Sequence, residues 1–294
     1  MPTNTLPFVS VVIPTFRSWH ETLTCISALE NQTYPRHAFE VIVVNNDPDD
    51  PFPESIRNVI CLNEREAGSY AARNRGIGEA RGEILAFTDS DCIPAPEWLS
   101  EAVRLITELN ADRIAGKIML SFSRPTLSAT DAYQKALAFN QKKLASNGLS
   151  VTANMISKRK VFETVGNFDS KLLSGGDWEW SRRATQAGFN ILYGDKVVIT
   201  HPARSGWSAL LKKSRRVNSA AYSQKYFSRI ALTVVIRFFK GLFPPLKRGI
   251  EIWRHPDLTM NEKLMAWLVC YALKIHSHGV RILAEMRIIK PTRS

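Results

Sequence analysis

The sequence is short of cysteine, of long apolar runs and, in its last third, of acid. Its four cysteines, Cys25, Cys61, Cys92 and Cys270, are scattered along 294 residues with no CxxC and no paired spacing. That argues against a disulfide framework or a zinc ribbon and fits a reducing compartment. No apolar run approaches the roughly 20 residues that span a bilayer. The nearest, residues 264–273, is bounded by Lys263 and Lys274 and suits a core or interfacial helix. The first eight residues lack a basic segment followed by an apolar one, so no signal peptide is expected. Residues 201–294 carry 18 Lys/Arg against 4 Asp/Glu, whereas residues 1–200 carry 21 against 23. The net charge of +12 therefore belongs to the last third. A uniformly basic nucleic-acid binder is disfavoured, and a negatively charged partner is expected for that region alone. With 45% hydrophobic and 22% charged residues the chain has an ordinary globular balance.

Along the first 120 residues apolar strands alternate with helical patterns. Residues 8–13 (FVSVVI) read as a strand stopped by Pro14, residues 40–44 (EVIVV) as a second, 59–62 as a weak third, 83–88 (EILAFT) as a fourth and 114–120 as another. Helical spacing appears at Trp19, Leu23, Ile26 and Leu29, over 67–80 and over 97–109. Such alternation predicts βαβ crossovers and a mostly parallel sheet flanked by helices, an α/β class whose ligands sit beyond the carboxyl ends of the strands. Further on, helices are expected over 129–143, 158–165 and 178–187, with strands over 151–156 and 191–199. From Gly206 the chain reads as basic helices broken at Pro244-Pro245 and near Pro256.

Three constellations fall at those strand ends. Asp89-Ser90-Asp91 follows EILAFT directly, and two carboxylates at i and i+2 can approach one hard cation such as Mg²⁺ or Mn²⁺. The same residue types also make an ordinary polar turn. Residues 68–76 (GSYAARNRG) open a helix with small residues, so its first amides with Arg73 and Arg75 can face anionic oxygens; a solvated amphipathic helix is the plainer alternative. Residues 174–180 (SGGDWEW) set Asp177 at a helix start, where a carboxylate serves either as N-cap or as general base. Trp178 and Trp180 offer a stacking surface or core packing.

Taken in order, these pieces resemble family 2 glycosyltransferases with the nucleotide-sugar-binding GT-A fold, over about residues 8–217. Residues 9–15 (VSVVIPT) look like that family's opening strand and 40–47 (EVIVVNND) like its second strand and acidic pair. Residues 71–76 (AARNRG) match its helix over the nucleotide, and Asp89-Ser90-Asp91 its metal-binding DxD. Residues 165–169 (VGNFD) with Gly176-Asp177 and Arg182-Arg183 resemble its acceptor side. The resemblance implies sugar transfer from a nucleoside diphosphate to a hydroxyl, with inversion. Pro14 and Thr15 would line the base pocket, and Asn46 stands where the family commonly has an Asp that contacts the base. Arg73 would face the nucleotide sugar. Asp89 would meet the ribose or metal, and Asp91 would be the main ligand to Mg²⁺ or Mn²⁺. Asp177 would be the catalytic base. The family's preceding Glu is Gly176 here, so Glu179 is the runner-up. His201 would supply a third metal or diphosphate contact, and Arg215 and Arg216 would close over the diphosphate or belong to the general basic face.

On this view residues 1–227 form a GT-A catalytic domain, with 1–120 on the nucleotide-sugar side and 121–227 on the acceptor side, and residues 228–294 form a basic amphipathic helical tail. Residues 228–243 are apolar with interspersed cations. Leu264, Trp267, Leu268, Tyr271, Ile275 and Ile282 share one face of a later helix, with Lys263, Lys274, Arg281 and Lys290 off it. Such helices suit an interfacial membrane site, or else pack on protein. The expected partners are a nucleotide-sugar donor, a saccharide or lipid-linked acceptor and the cytoplasmic face of a membrane, in surface polysaccharide or glycolipid assembly; an oligomer is possible and no nucleic acid is expected. A sugar nucleotidyltransferase is demoted because residues 14–18 (PTFRS) lack the glycine-rich loop that such enzymes carry. A nucleotide-sugar-binding scaffold without turnover is the non-enzyme alternative.

Overall fold

The structure, a computed structural model, describes residues 6–172, 174–220, 242–285 and 288. Its first compact unit comprises residues 1–119, 139–172 and 176–202; the second comprises 120–138, 173–175 and 203–294.

The first unit is built on four strands of the first hundred residues, β1 (Val9–Thr15), β2 (Phe39–Asn45), β3 (Ile60–Asn63) and β4 (Ile84–Thr88). β1 lies between β2 and β4, β2 pairs with β3, and all these pairings are parallel. The remaining strands are β5 (Ile93–Pro94), β6 (Arg113–Ser121), β7 (Asn154–Lys158) and β8 (Ile191–Pro202). The sheet order is β3-β2-β1-β4-β7-β6-β8-β5. Beyond β4 the sheet changes character, since β7 runs antiparallel to β4 and to β6, and β5 antiparallel to β8.

β1, β2 and β4 are buried on both faces, as their unbroken apolar runs require. Alternate residues serve opposite layers. Val9, Val11 and Ile13 meet α1 (Trp19–Glu30) and α3 (Trp98–Glu108); Val12, Ile42 and Phe87 meet α2 (Ser69–Glu79), α6 (Arg159–Val165) and α7 (Gly176–Gln186). Contrary to the sequence expectation, β1 does not stop at Pro14 but runs on to Thr15. Its last pair with β4 is Val12 with Phe87, so at Pro14 it has become an edge on that side, where a missing N–H is tolerated.

The antiparallel half is tied together by Asn154, which is fully buried at the start of β7. Its Oδ1 accepts from Trp98 Nε1 at 2.9 Å, and its Nδ2 donates to the carbonyls of Lys117 and Val197, both at 2.9 Å. One amide thereby joins α3, β6 and β8. Gly116 makes the room: a Cβ there would stand 2.4 Å from the Asn154 amide atoms. Arg113, also fully buried, does similar work for α7. It donates to the carbonyls of Ser181 at 3.0 Å and Phe189 at 2.8 Å and to Thr185 Oγ1 at 2.9 Å. Burial lowers its pKa to about 10, which leaves it charged at neutral pH.

The helix expected over 129–143 is two helices, α4 (Ala129–Leu137) and α5 (Gln141–Ala145). Ala138 is extended, Phe139 takes a left-handed φ of 52°, and the Asn140 side chain caps α5 by accepting from the Lys143 amide.

The second unit has its own small helical core. α4, opened by a Ser128–Asp131 capping box, packs with α8 (Gly206–Ala220), α9 (Leu246–Trp253) and α10 (Met260–Glu285) around Ala132, Leu210, Ile252, Leu258, Ala266, Val269, Cys270 and Leu273.

Asn154→Leu keeps the side-chain bulk but orphans the buried indole N–H of Trp98 and the carbonyls of Val197 and Lys117, the first of them buried. It is expected to cost about 3 kcal/mol or more of stability in urea unfolding; an unchanged midpoint would remove Asn154 as the tie.

Candidate active site

Where β4 ends, the turn Asp89-Ser90-Asp91 is gripped from three sides. Arg73 Nη2 meets Asp89 Oδ1 at 2.5 Å, and the guanidinium is 4% exposed. Ser90 Oγ lies 3.1 Å from Ser18 Oγ at the start of α1. Asp91 faces His201, which the antiparallel pairing of Ile93 with Thr200 draws alongside, and the His201 Nε2 to Asp91 Oδ1 distance is 3.7 Å. A polar turn made only for solvent would need none of these contacts.

His201 is 3% exposed, and its ring stacks at a tilt on Phe139, centroid to centroid 4.8 Å. Nδ1 sits 2.7 Å from the Pro202 carbonyl, which can only accept. Nδ1 therefore donates to that carbonyl and leaves Nε2 turned toward Asp91, the arrangement that orients metal-ligating imidazoles. Asp91, Cys92 and His201 each have a donor atom within 4.8 Å of the others. Burial above all, and then the charges of Asp89 and Asp91, hold the Cys92 thiol well above its usual pKa and keep it protonated. The remaining carboxylate oxygen and imidazole nitrogen fit Mn²⁺, and less closely Mg²⁺ with its preference for oxygen.

Asp177 stands at the start of α7. Its Oδ1 accepts from the Trp178 amide at 3.0 Å and from Tyr70 Oη at 3.2 Å. Burial pushes its pKa above the ordinary carboxylate value; the Trp178 amide, Arg73, Tyr70 and the Thr152 amide offset part of that rise. Glu179 is engaged elsewhere. Arg183 clasps it with Nε at 2.7 Å and Nη2 at 3.0 Å, and also donates to the Asn167 carbonyl at 2.7 Å. Of the two tryptophans, Trp180 is wholly buried against Phe162, whereas Trp178 is 41% exposed. Core packing explains the first; the second keeps a face open to a ligand.

Pro14 and Thr15 do lie at the carboxyl end of β1, but the Thr15 hydroxyl turns inward to Thr22 Oγ1 at 2.7 Å and Ser18 Oγ at 3.1 Å. Asn46, at the end of β2, is bonded to the loop that follows. Its Nδ2 donates to the carbonyls of Glu64 at 3.0 Å and Glu66 at 2.8 Å, and its Oδ1 accepts from the Gly68 amide at 2.6 Å. It staples the loop that leads into α2. Beside it Asp47 pairs with Arg17 at 2.5 Å, and these two with Trp19, Asp49 and Asp50 line an open cavity of about 380 Å³. Arg215 and Arg216 belong to α8 of the second unit.

Sequence reasoning did not single out Tyr70 or Phe139. The only signal for Tyr70 is a large aromatic set among the small residues of GSYAARNRG.

A mixed sheet whose parallel half carries acids and a buried arginine at its carboxyl edge defines an α/β protein of the kind that binds ligands there. Solved structures share this fold at low identity. TarS residues 1–349 of S. aureus in complex with UDP-GlcNAc is 21% identical with a TM-score of 0.54, over 87% of this chain and 69% of that one. The mannosyltransferase PcManGT from Pyrobaculum calidifontis, in complex with GDP-Man and Mn²⁺, is 18% identical with a TM-score of 0.51, over 98% of this chain and 77% of that one. The glycosyltransferase AglE of Haloferax volcanii is 35% identical over 239 residues, 78% of each chain. Residues 10–166 match the family described as Glycosyl transferase family 2, and the chain belongs to that family. It is a glycosyltransferase with the GT-A fold.

Because an Asp at position 46 could not donate to the two loop carbonyls, Asn46→Asp is expected to lower Tm by about 3–8 °C and to raise the rate of proteolysis within residues 64–68. A variant with unchanged Tm and cleavage would show that the staple carries no weight.

Proposed function

We propose that this glycosyltransferase moves a sugar from a nucleoside diphosphate to an acceptor hydroxyl in one inverting displacement, dependent on Mg²⁺ or Mn²⁺. The observation that carries this is the placement of His201, whose Nδ1 is turned to the Pro202 carbonyl and whose Nε2 lies 3.7 Å from Asp91 Oδ1, beside the pairing of β5 with β8. A cation held by Asp91 and His201, with Asp89 beside them, would neutralise charge on the departing diphosphate. Arg73 orients Asp89 and adds a fixed positive charge next to it. The acceptor oxygen attacks the anomeric carbon, its bond to the diphosphate breaks, and Asp177 takes the acceptor proton. Burial suits Asp177 to this role, because a raised pKa brings a carboxylate nearer to the operating pH. Glu179, committed to Arg183, is the weaker candidate.

For the second unit we favour the surface of an anionic membrane. Among the described residues no helix is long and apolar enough to cross one. α10 buries Ala266, Val269, Cys270 and Leu273, yet Leu264, Leu268 and Ile275 on another side are about half exposed. α9 likewise exposes Leu246, Ile250 and Trp253 while burying Ile252. Lys247, Arg254 and Lys263 are interspersed, in a stretch of net charge +14. A helix with one apolar side packed on protein and a second left open among cations matches what interfacial binding requires. Of the sequence-predicted stripe, Trp267 instead packs against Gly249 and stacks on Tyr271. Residues 228–241 lie outside the described residues. The acceptor suited to such a surface is lipid-linked, in assembly of surface polysaccharide or glycolipid.

Asp177→Asn is expected to lower kcat by about 10²–10⁴-fold with Tm unchanged. Asp91→Ala, which removes a ligand itself, should weaken Mn²⁺ binding by more than the roughly 10–100-fold that losing a ligand's outer partner costs. Turnover by Asp177→Asn near wild type would rule out the base assignment. In wild type kcat/KM should rise with pH through the elevated Asp177 pKa, since only the carboxylate accepts a proton. Floated with vesicles containing phosphatidylserine, the full chain should rise with the lipid, and a Leu264→Glu, Leu268→Glu, Ile275→Glu variant should stay behind. Equal behaviour of the two, floating or not, would contradict the membrane assignment.

A further inference from the structure

The chemistry proposed above needs a carboxylate held in one orientation, and Asp177 has little of its own helix to hold it beyond the adjacent Trp178 amide. What reaches it comes from across the layer. Tyr70, the second residue of α2, is 7% exposed, and its hydroxyl donates to Asp177 Oδ1 at 3.2 Å. Its ring is wedged against the backbone of Gly176, where a Cβ would lie 2.8–2.9 Å from three ring carbons. That distance is too short for any side chain, so the start of α7 can approach Tyr70 only with glycine at 176. On its other side the ring meets Phe168 at 5.7 Å and carries the Arg73 guanidinium 5.8 Å from its centroid. Arg73 in turn holds Asp89 at 2.5 Å. Four side chains thus run in contact from the metal-side turn to the start of α7, with Tyr70 as the link to Asp177.

We propose that Tyr70 is a positioning residue for the acceptor step: its hydroxyl fixes the Asp177 carboxylate, and glycine at 176 is the space that lets it do so. The inference rests on Asp177 being the base, and it accounts for a departure noted in the sequence. A glutamate at position 176 would collide with the ring. In this chain the neighbour of Asp177 has given up its side chain, and an aromatic from α2 supplies the support instead.

The groups that face Asp177 are few. From α2 come the Tyr70 hydroxyl and the Arg73 charge; the rest are the amides of Trp178 and Thr152. All four favour the ionised form against the effect of burial. Removing the hydroxyl alone therefore shifts the balance one way, toward the protonated acid. Tyr70→Phe keeps the ring against Gly176 and is expected to fold as wild type.

The test compares Tyr70→Phe with wild type by kinetics across pH and by carboxyl ¹³C NMR, with Asp177→Asn used to identify the Asp177 resonance. Tyr70→Phe should move the acid limb of kcat/KM, and the Asp177 titration, upward by about one pH unit. On the alkaline side of that limb its kcat should stay below wild type, because an ionised carboxylate that is not held is misoriented, with donor KM within about twofold of wild type; full recovery of kcat there would overturn the positioning role. Superimposable Asp177 titrations in the two proteins would overturn the proposal whatever the kinetics. If Asp177→Asn keeps its turnover while the titration still moves in Tyr70→Phe, the base assignment fails and the contact stands.

Discussion

The buried amide of Asn154 is the interaction on which the rest depends. The parallel half of the sheet needs little beyond apolar strands and crossover helices, because β1, β2 and β4 are driven together by burial on both faces. The antiparallel half has no such simple drive. β6 meets β7 over only three paired positions, and the strand that must end at His201 comes in from the far side of the sheet. Asn154 closes that gap by bonding α3, β6 and β8 at once from the start of β7. Two of its partners, the Trp98 indole and the Val197 carbonyl, are buried polar groups, so the tie is costly to break. Asn154 fixes β8 at Val197, and beyond that point the pairing of Ile93 with Thr200 sets His201 beside Asp91.

Electrostatics at that edge follow from the same packing. Arg73 is almost wholly buried, yet its charge is not isolated, because Asp89 meets it and the Tyr70 ring lies beside it. An acid pair without this cation would repel a diphosphate; with it, the edge offers a mixed field of fixed positive and negative charge. The second unit bears its charge differently. Its cations sit among exposed apolar side chains rather than around buried acids. The chain's positive excess lies in residues 201–294, outside the segments that carry Asp89, Asp91 and Asp177.

Much of this was legible in the sequence, for identifiable reasons. Period-two and unbroken apolar runs betray strands regardless of their partners, so β1 to β4, β6 and β8 are where the pattern predicts them. Asp89, Asp91 and Asp177 are visible because carboxylates beyond strand ends or at helix starts are few. Asn154 is not visible, since a buried asparagine in a strand looks like a poor strand residue until its three partners are brought together from positions 98, 117 and 197. Phe139 is hidden for the opposite reason: nothing in AFNQKK announces a left-handed residue inside an apparently helical run. Asn46 is legible only in part. Its place at the end of β2 is visible in the sequence, while the bonds of its amide to the backbone of the following loop are not. For Tyr70 and Gly176 each residue looked ordinary alone, and only their approach in space gives either a purpose.

The central claim is that Asp91 and His201 hold a cation that serves a nucleoside diphosphate at the carboxyl edge of the sheet. It is tested most directly by thermal shift with UDP, GDP and dTDP, each with Mn²⁺ and each with EDTA, because a ligand that binds only the folded state raises its stability. At least one of the three should raise Tm with Mn²⁺ and lose that effect in EDTA, and the gain should vanish in Asp91→Ala. Stabilisation that is equal in EDTA, or retained by Asp91→Ala, would contradict the account.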